Sequence, residues 1–188
     1  MINFMYDSIN RFLNYRSRPN EESLDRCFGT PRWRDIRESP DREAAMLDLY
    51  KEQVRATGRF QYVTSTRILK PLQDRAYFHL VYATRHPKGI LKFREVEKKV
   101  VTAQEEVRAS AQRVDREQRT SQTVMDFSST AYSPALLDDR SEQLRKGEAK
   151  LMELVRGGRI CYEILQPIIL ELPLVWNADL NRILVECQ

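Results

Sequence analysis

The chain has few of the residues that most often carry chemistry. Its 188 residues include only three cysteines and two histidines. Cys27, Cys161 and Cys187 are far apart and form no C-x-x-C pair, so they offer neither a disulfide framework nor a cysteine-based metal site. They read as buried structural thiols in a reduced, cytoplasmic setting. Neither His79 nor His86 has a cysteine or carboxylate at metal-ligand spacing, and neither lies in a nucleophile motif, so no metal is expected. Glycine is as scarce: Gly29, Gly58, Gly89, Gly147, Gly157 and Gly158 contain no G-x-G, and a glycine-rich cofactor turn is missing. No apolar run approaches the ~20 residues of a membrane span. The longest cluster, Ile164 to Trp176, is interrupted by Gln166, Pro167, Glu171 and Pro173. The first residues show no cationic stretch followed by an apolar core, so no secretory signal is expected.

What is present describes a globular chain, 41% hydrophobic and 31% charged. A net charge of +4 and a pI near 9.0 permit contact with nucleic acid without requiring it. Met1-Ile2-Asn3-Phe4 reads as the tail of a buried strand that runs at once into a helix over 5–14. A domain rarely opens this way, so the expectation is a larger fold whose front is missing. Arg16 to Glu22 reads as a polar turn, and Asn20 as the cap of a short helix holding Leu24, Cys27 and Phe28. Ser39-Pro40-Asp41 starts a helix that ends at Gly58. Phe60–Leu69 and Ala76–Thr84 are strands, and the short stretch Lys70-Pro71-Leu72-Gln73-Asp74 between them favours an antiparallel hairpin.

A long helix is expected over 90–120. Phe93, Val96, Val100, Ala103, Val107, Ser110 and Val114 recur at alternating spacings of three and four, which is a heptad seam. It reads either as a core-facing stripe or as a dimerising coil. Gln122 to Pro134 reads as a linker, which divides the chain into 1–121, 122–134 and 135–188. After it comes a helix from Ala135 to Val155, then a very short strand over Arg159–Tyr162. Two helices follow, the first with Pro167 in its first turn, the second capped by Asn177. Helix, strand, helix, turn, helix is the order of a winged helix-turn-helix that stops before its wing.

Two stretches carry a family resemblance. One is Ile2-Asn3-Phe4-Met5 through Phe12, with Leu24-Asp25-Arg26-Cys27-Phe28-Gly29-Thr30 and Trp33. The other is Tyr77-Phe78-His79-Leu80-Val81-Tyr82-Ala83-Thr84-Arg85-His86-Pro87-Lys88-Gly89. Together they resemble the bacterial three-Cys-motif partner proteins. Those are class I methyltransferase-like proteins with a C-terminal winged helix-turn-helix domain of the GMT-like type. The resemblance implies an α/β fold, mostly helical: a partial Rossmann-like half-sheet ending in an antiparallel pair, a long helix, then a winged-helix-like module. It also implies that the three parts holding S-adenosylmethionine precede Met1, so no cofactor is expected in this chain.

The candidate sites follow from these readings. Asn10 and Arg11, with Asp7, follow the first strand and border a cleft in the implied fold, or else serve the helix N-terminus alone. Arg85, His86 and Lys88 form a basic turn able to hold an anion, or else a solvated turn stiffened by proline. His79 reads as a packed core residue. In the last module, Asn177, Asn181 and Arg182 on the reading helix, with Lys150, Arg156 and Arg159 before it, are candidate nucleic-acid contacts. Asp179 and Glu186 on the same helix would repel phosphate. The expected activity is association: with a protein partner, with itself, or with nucleic acid. The alternative is S-adenosylmethionine-dependent methyl transfer once the missing half is supplied, and a third reading is a small DNA-binding regulator.

Overall fold

A computed structural model describes residues 1–15, 17–120 and 132–186. The expected linker lies almost wholly outside the described residues, as do Arg16, Cys187 and the side chain of Glu186. The fold is mostly helical around one small sheet. In chain order come β1 (Ile2–Phe4), α1 (Tyr6–Asn14), α2 (Arg18–Phe28), α3 (Trp33–Ile36), α4 (Arg42–Gly58), β2 (Tyr62–Leu69) and β3 (Ala76–Thr84). Then follow α5 (Pro87–Thr120), α6 (Pro134–Arg156), α7 (Tyr162–Ile169) and α8 (Asn177–Glu186).

The three strands lie in the order β1-β3-β2, with β3 antiparallel to both neighbours. Register is set by alternation. Val63, Val81 and Phe4 point to one face, where α1 to α4 bury Phe28, Trp33, Met46 and Leu49 against them. Tyr62 and Tyr82 point to the other face and meet Ile90 of α5 together with Leu151, Leu165, Ile169 and Ile183 of the C-terminal helices. The segments on either side of the expected linker thus share this second core.

Several elements start where the sequence did not place them. α2 begins at Arg18, with Pro19 in its first turn, so Asn20 is a helical residue and not the cap. The residues before α7 form no strand, and α7 already begins at Tyr162. Pro167 is therefore interior to the helix and buried. The fold tolerates it because α7 is only eight residues long and Glu163, four residues before the proline, is exposed to solvent.

The largest difference concerns α5. Its buried residues are Ile90, Phe93, Arg94, Glu97, Val101, Glu105 and Arg108. Beyond Phe93 the heptad seam faces solvent: Val96 is 49% exposed, Val100 42%, Val107 63% and Val114 48%. The helix buries charged residues because what it covers is polar. Arg94 Nε donates to the Leu170 carbonyl at 2.7 Å and Nη2 to the Glu171 carbonyl at 3.0 Å, while Nη1 pairs with Glu97 at 2.5 Å. Arg94 also bonds the Thr64 hydroxyl. Farther along, Arg108 meets Glu105, Asp74 and the Lys70 carbonyl, so it pins the β2–β3 turn to the helix.

Candidate functional site

A half-exposed pocket with polar groups lies between α4, α5 and α6. A cavity of about 170 Å³ lies there, lined by Leu47, Leu69, Val101, Leu136 and Leu174 on its apolar side. Ser65, Arg67, His79, Gln104, Asp139 and Gln143 supply its polar groups. β2 and β3 place Arg67 opposite His79 in register. His79 Nε2 lies 2.8 Å from Glu43 Oε1 of α4. Arg67 Nη1 donates to Asp139 Oδ2 at 2.8 Å and Nη2 to the Asp74 carbonyl at 3.2 Å. Its buried Nε has no partner among the described residues. The bond from His79 holds the Glu43 carboxyl below its ordinary range, while burial pushes that of Asp139 up against the opposing pull of Arg67. Chemically this is an Arg67–Asp139 ion pair beside a His79–Glu43 hydrogen bond, around a small pocket.

None of the residues singled out in the sequence as sites lines this cavity, and the reading of His79 as a packed, satisfied histidine fits its environment. The signal for Arg67 and Asp139 was absent because their pairing spans 72 positions.

The predicted residues are placed elsewhere and do not converge. Asn10 accepts from Arg42 Nη1 at 3.0 Å, and Arg11 is exposed. Asp7 is drawn into ion pairs with Lys70 at 2.7 Å and Arg75 at 2.5 Å, and the bond from Lys70 holds its carboxyl low. Thus α1 is clamped to the β2–β3 turn.

Arg85 turns toward the end of α4. Its Nη2 donates to the Gly58 carbonyl at 2.6 Å and its Nε to that of Arg59 at 3.3 Å, while the guanidinium covers the Phe60 ring at 4.9 Å. It neutralises the C-terminal end of α4. His86 Nδ1 accepts from the Lys88 backbone at 3.2 Å, and both residues are exposed in the first turn of α5 and the bend before it.

In the C-terminal helices Asp179 corrects the expectation most. It is 8% exposed, takes both oxygens to Arg140 Nη2 at 2.7 Å, and accepts from the Trp176 backbone at 2.9 Å. Far from repelling phosphate, it caps α8 and ties it to α6, with Arg140 stacked 4.1 Å from the Trp176 ring. Asn177 and Asn181 accept from the Tyr162 hydroxyl, and Asn177 also from Gln166 at 2.5 Å, in an exposed network. Lys150 pairs with Glu153 at 2.9 Å, and Arg182 is exposed. Arg156 and Arg159 are exposed at the end of α6 and just after it.

The cysteines also differ from expectation. Cys27 and Cys161 are exposed, because Leu24 and Phe28 take the inward positions of α2 and Cys161 lies just ahead of α7. Among the described residues no group of histidine, cysteine and carboxylate side chains is placed to hold a metal ion, and no helix is long and apolar enough to cross a membrane. No family model matches the sequence, and no curated protein and no solved structure matches it either.

Proposed function

We propose that this chain works by association, as a non-catalytic portion of a three-Cys-motif-partner-like protein that completes its sheet with a strand from another polypeptide. The carrying observation is the contrast between the two sheet edges. The outer edge of β2 is covered: Val63 N–H donates to Glu171 at 2.7 Å and Leu69 N–H to Gln104 at 3.0 Å. The outer edge of β1 has no such cover among the described residues. Beside it apolar groups face solvent: Ile2 of β1 is 40% exposed, Met5 just before α1 36%, and Phe12 of α1 50%. An open edge flanked by apolar surface is a template for strand addition. The sheet order supports the methyltransferase-like resemblance, since β1 and β2 run parallel with the last strand inserted between them. In this reading S-adenosylmethionine belongs to the partner half and this chain holds no cofactor.

The test mixes the chain with the N-terminal half of a three-Cys-motif-partner methyltransferase-like protein and follows the mass by light scattering. A one-to-one complex is expected, lost in Ile2→Lys at the edge strand. No complex, or one indifferent to that charge, contradicts the proposal. A complex that also transfers a methyl group would establish the enzymatic alternative.

A second reading concerns α6 to α8 as a winged-helix-like module in contact with nucleic acid. It is favoured by exposed Arg156 and Arg159 beside the exposed Tyr162–Asn177–Asn181 network. It requires a salt-sensitive gel shift on duplex DNA, abolished in Arg156→Glu/Arg159→Glu. The absence of any shift at low salt removes it.

A further inference from the structure

We infer that the exposed seam of α5 is a contact between two copies of this chain, arranged as an antiparallel helix pair. The long helix presents two stripes. Arg94, Glu97, Val101, Glu105 and Arg108 face the protein interior. Val96, Val100, Ala103, Val107, Ser110 and Val114 are exposed, their mean direction about 140° round the helix from the buried stripe at 3.6 residues per turn. The exposed stripe alone follows the three-four alternation of a coiled-coil seam. No residue after Arg108 in this helix is buried, so its last three turns stand away from the core of the described residues.

Flanking charge selects both occupant and register. Lys99 and Glu106 border the seam on the side away from the body, both exposed and neither ion-paired among the described residues. Two antiparallel copies that set Val96 on the partner's Val107, and Val100 on the partner's Ala103, place Lys99 against Glu106 at two symmetric points. Sliding by one heptad toward the C-terminus sets Glu106 against itself and Lys99 against Arg113. Sliding the other way sets Lys99 against itself and halves the apolar overlap. At the ends of the favoured register Lys92 approaches Arg113, but Lys92 is already held by Glu95 at 2.7 Å. The contact is two-fold and self-complementary, the commonest closed symmetry. From Val96 to Val107 the paired seam spans about 16 Å at 1.5 Å per residue.

The test is sedimentation equilibrium of the full chain under reducing conditions. A dimer at micromolar concentration is expected. Val100→Asp/Val107→Asp should raise the dissociation constant at least a hundredfold while leaving the circular dichroism and melting of the monomer unchanged, since both positions are exposed. Lys99→Glu and Glu106→Lys should each weaken the dimer about tenfold, and the two together should restore it. A wild-type monomer at 100 µM overturns the inference. So does a dimer that survives the double aspartate variant. A dimer abolished by Ile2→Lys but not by the α5 variants would assign self-association to the sheet edge and likewise overturn it. Failure of the charge swap to rescue overturns the antiparallel register.

Discussion

Arg94 should be the most costly side chain to remove. It is 1% exposed and joins three parts of the fold: Glu97 on α5, Thr64 on β2, and the carbonyls of Leu170 and Glu171 after α7. Burial pushes its guanidinium below the ordinary value, and the attraction of Glu97 opposes that. Arg94→Leu leaves the Glu97 carboxylate buried and alone. Removing one partner of a buried pair costs about 3–5 kcal/mol, because the remaining charge keeps its desolvation penalty. Taking about 4 kcal/mol, a domain of this size loses about 8–16 °C in melting temperature. Arg94→Leu/Glu97→Leu removes both charges and keeps only the loss of the carbonyl and hydroxyl bonds, about 1–3 kcal/mol. The double variant should therefore be more stable than the single one. Urea unfolding followed by circular dichroism measures both. A single variant within about 0.5 kcal/mol of wild type, the range of ordinary surface changes, refutes the reasoning, and so does a double variant less stable than the single.

Other expectations concern acid, backbone and thiols. The Glu43 carboxyl is held low by His79, so its contribution is present above the ordinary 4.5 and is lost as the pH falls through its folded value. Glu43→Gln should flatten the acid limb of the stability curve below the ordinary 4.5, and an unchanged limb counts against the pair. Glu171 has the opposite sign: burial raises its carboxyl, so its contribution fades as the pH rises above the ordinary 4.5, and Glu171→Gln should gain relative to wild type at neutral pH. Gly58→Ala would set a methyl carbon 2.1 Å from the Phe60 ring. The ring must leave the Arg85 guanidinium, at a loss of about 1–3 kcal/mol; a neutral melt would show that the turn adapts freely. Burial raises the Cys27 thiol even though the residue is exposed. A thiol reagent at pH 8 should thus modify Cys27 more slowly in the native protein than in the unfolded chain, and equal rates would contradict that effect of burial.

The readable parts of the sequence were those set by local signals. Gly58 ended α4 as expected, while its start fell at Arg42 after Asp41, with Ser39 and Pro40 ahead of the helix; a β-branched run and an aromatic-rich apolar run joined by a short turn gave the antiparallel hairpin. The facing of α5 was not readable, because the heptad seam is genuine as a pattern yet the core takes Arg94, Glu97 and Arg108 instead. Arg94 goes inside to satisfy a carbonyl 76 positions away, with Glu97 as its counter-charge, and Arg108 to satisfy the Lys70 carbonyl 38 positions back, demands no local window contains. Asp179 misled for the same reason. Its partner Arg140 lies 39 positions earlier, so an acid that looked solvent-facing is a buried cap. Arg85 was placed correctly at a strand end, but its acceptors, the Gly58 and Arg59 carbonyls, come from the end of α4.

The central claim is that this chain acts through its surfaces, by the β1 edge above all, and does not itself grip a nucleoside cofactor. Calorimetric titration of the purified chain with S-adenosylmethionine tests it most directly. The account predicts no saturable heat with the chain alone. A one-to-one isotherm with micromolar affinity, weakened by substitutions in the cavity of Arg67 and His79, would contradict it.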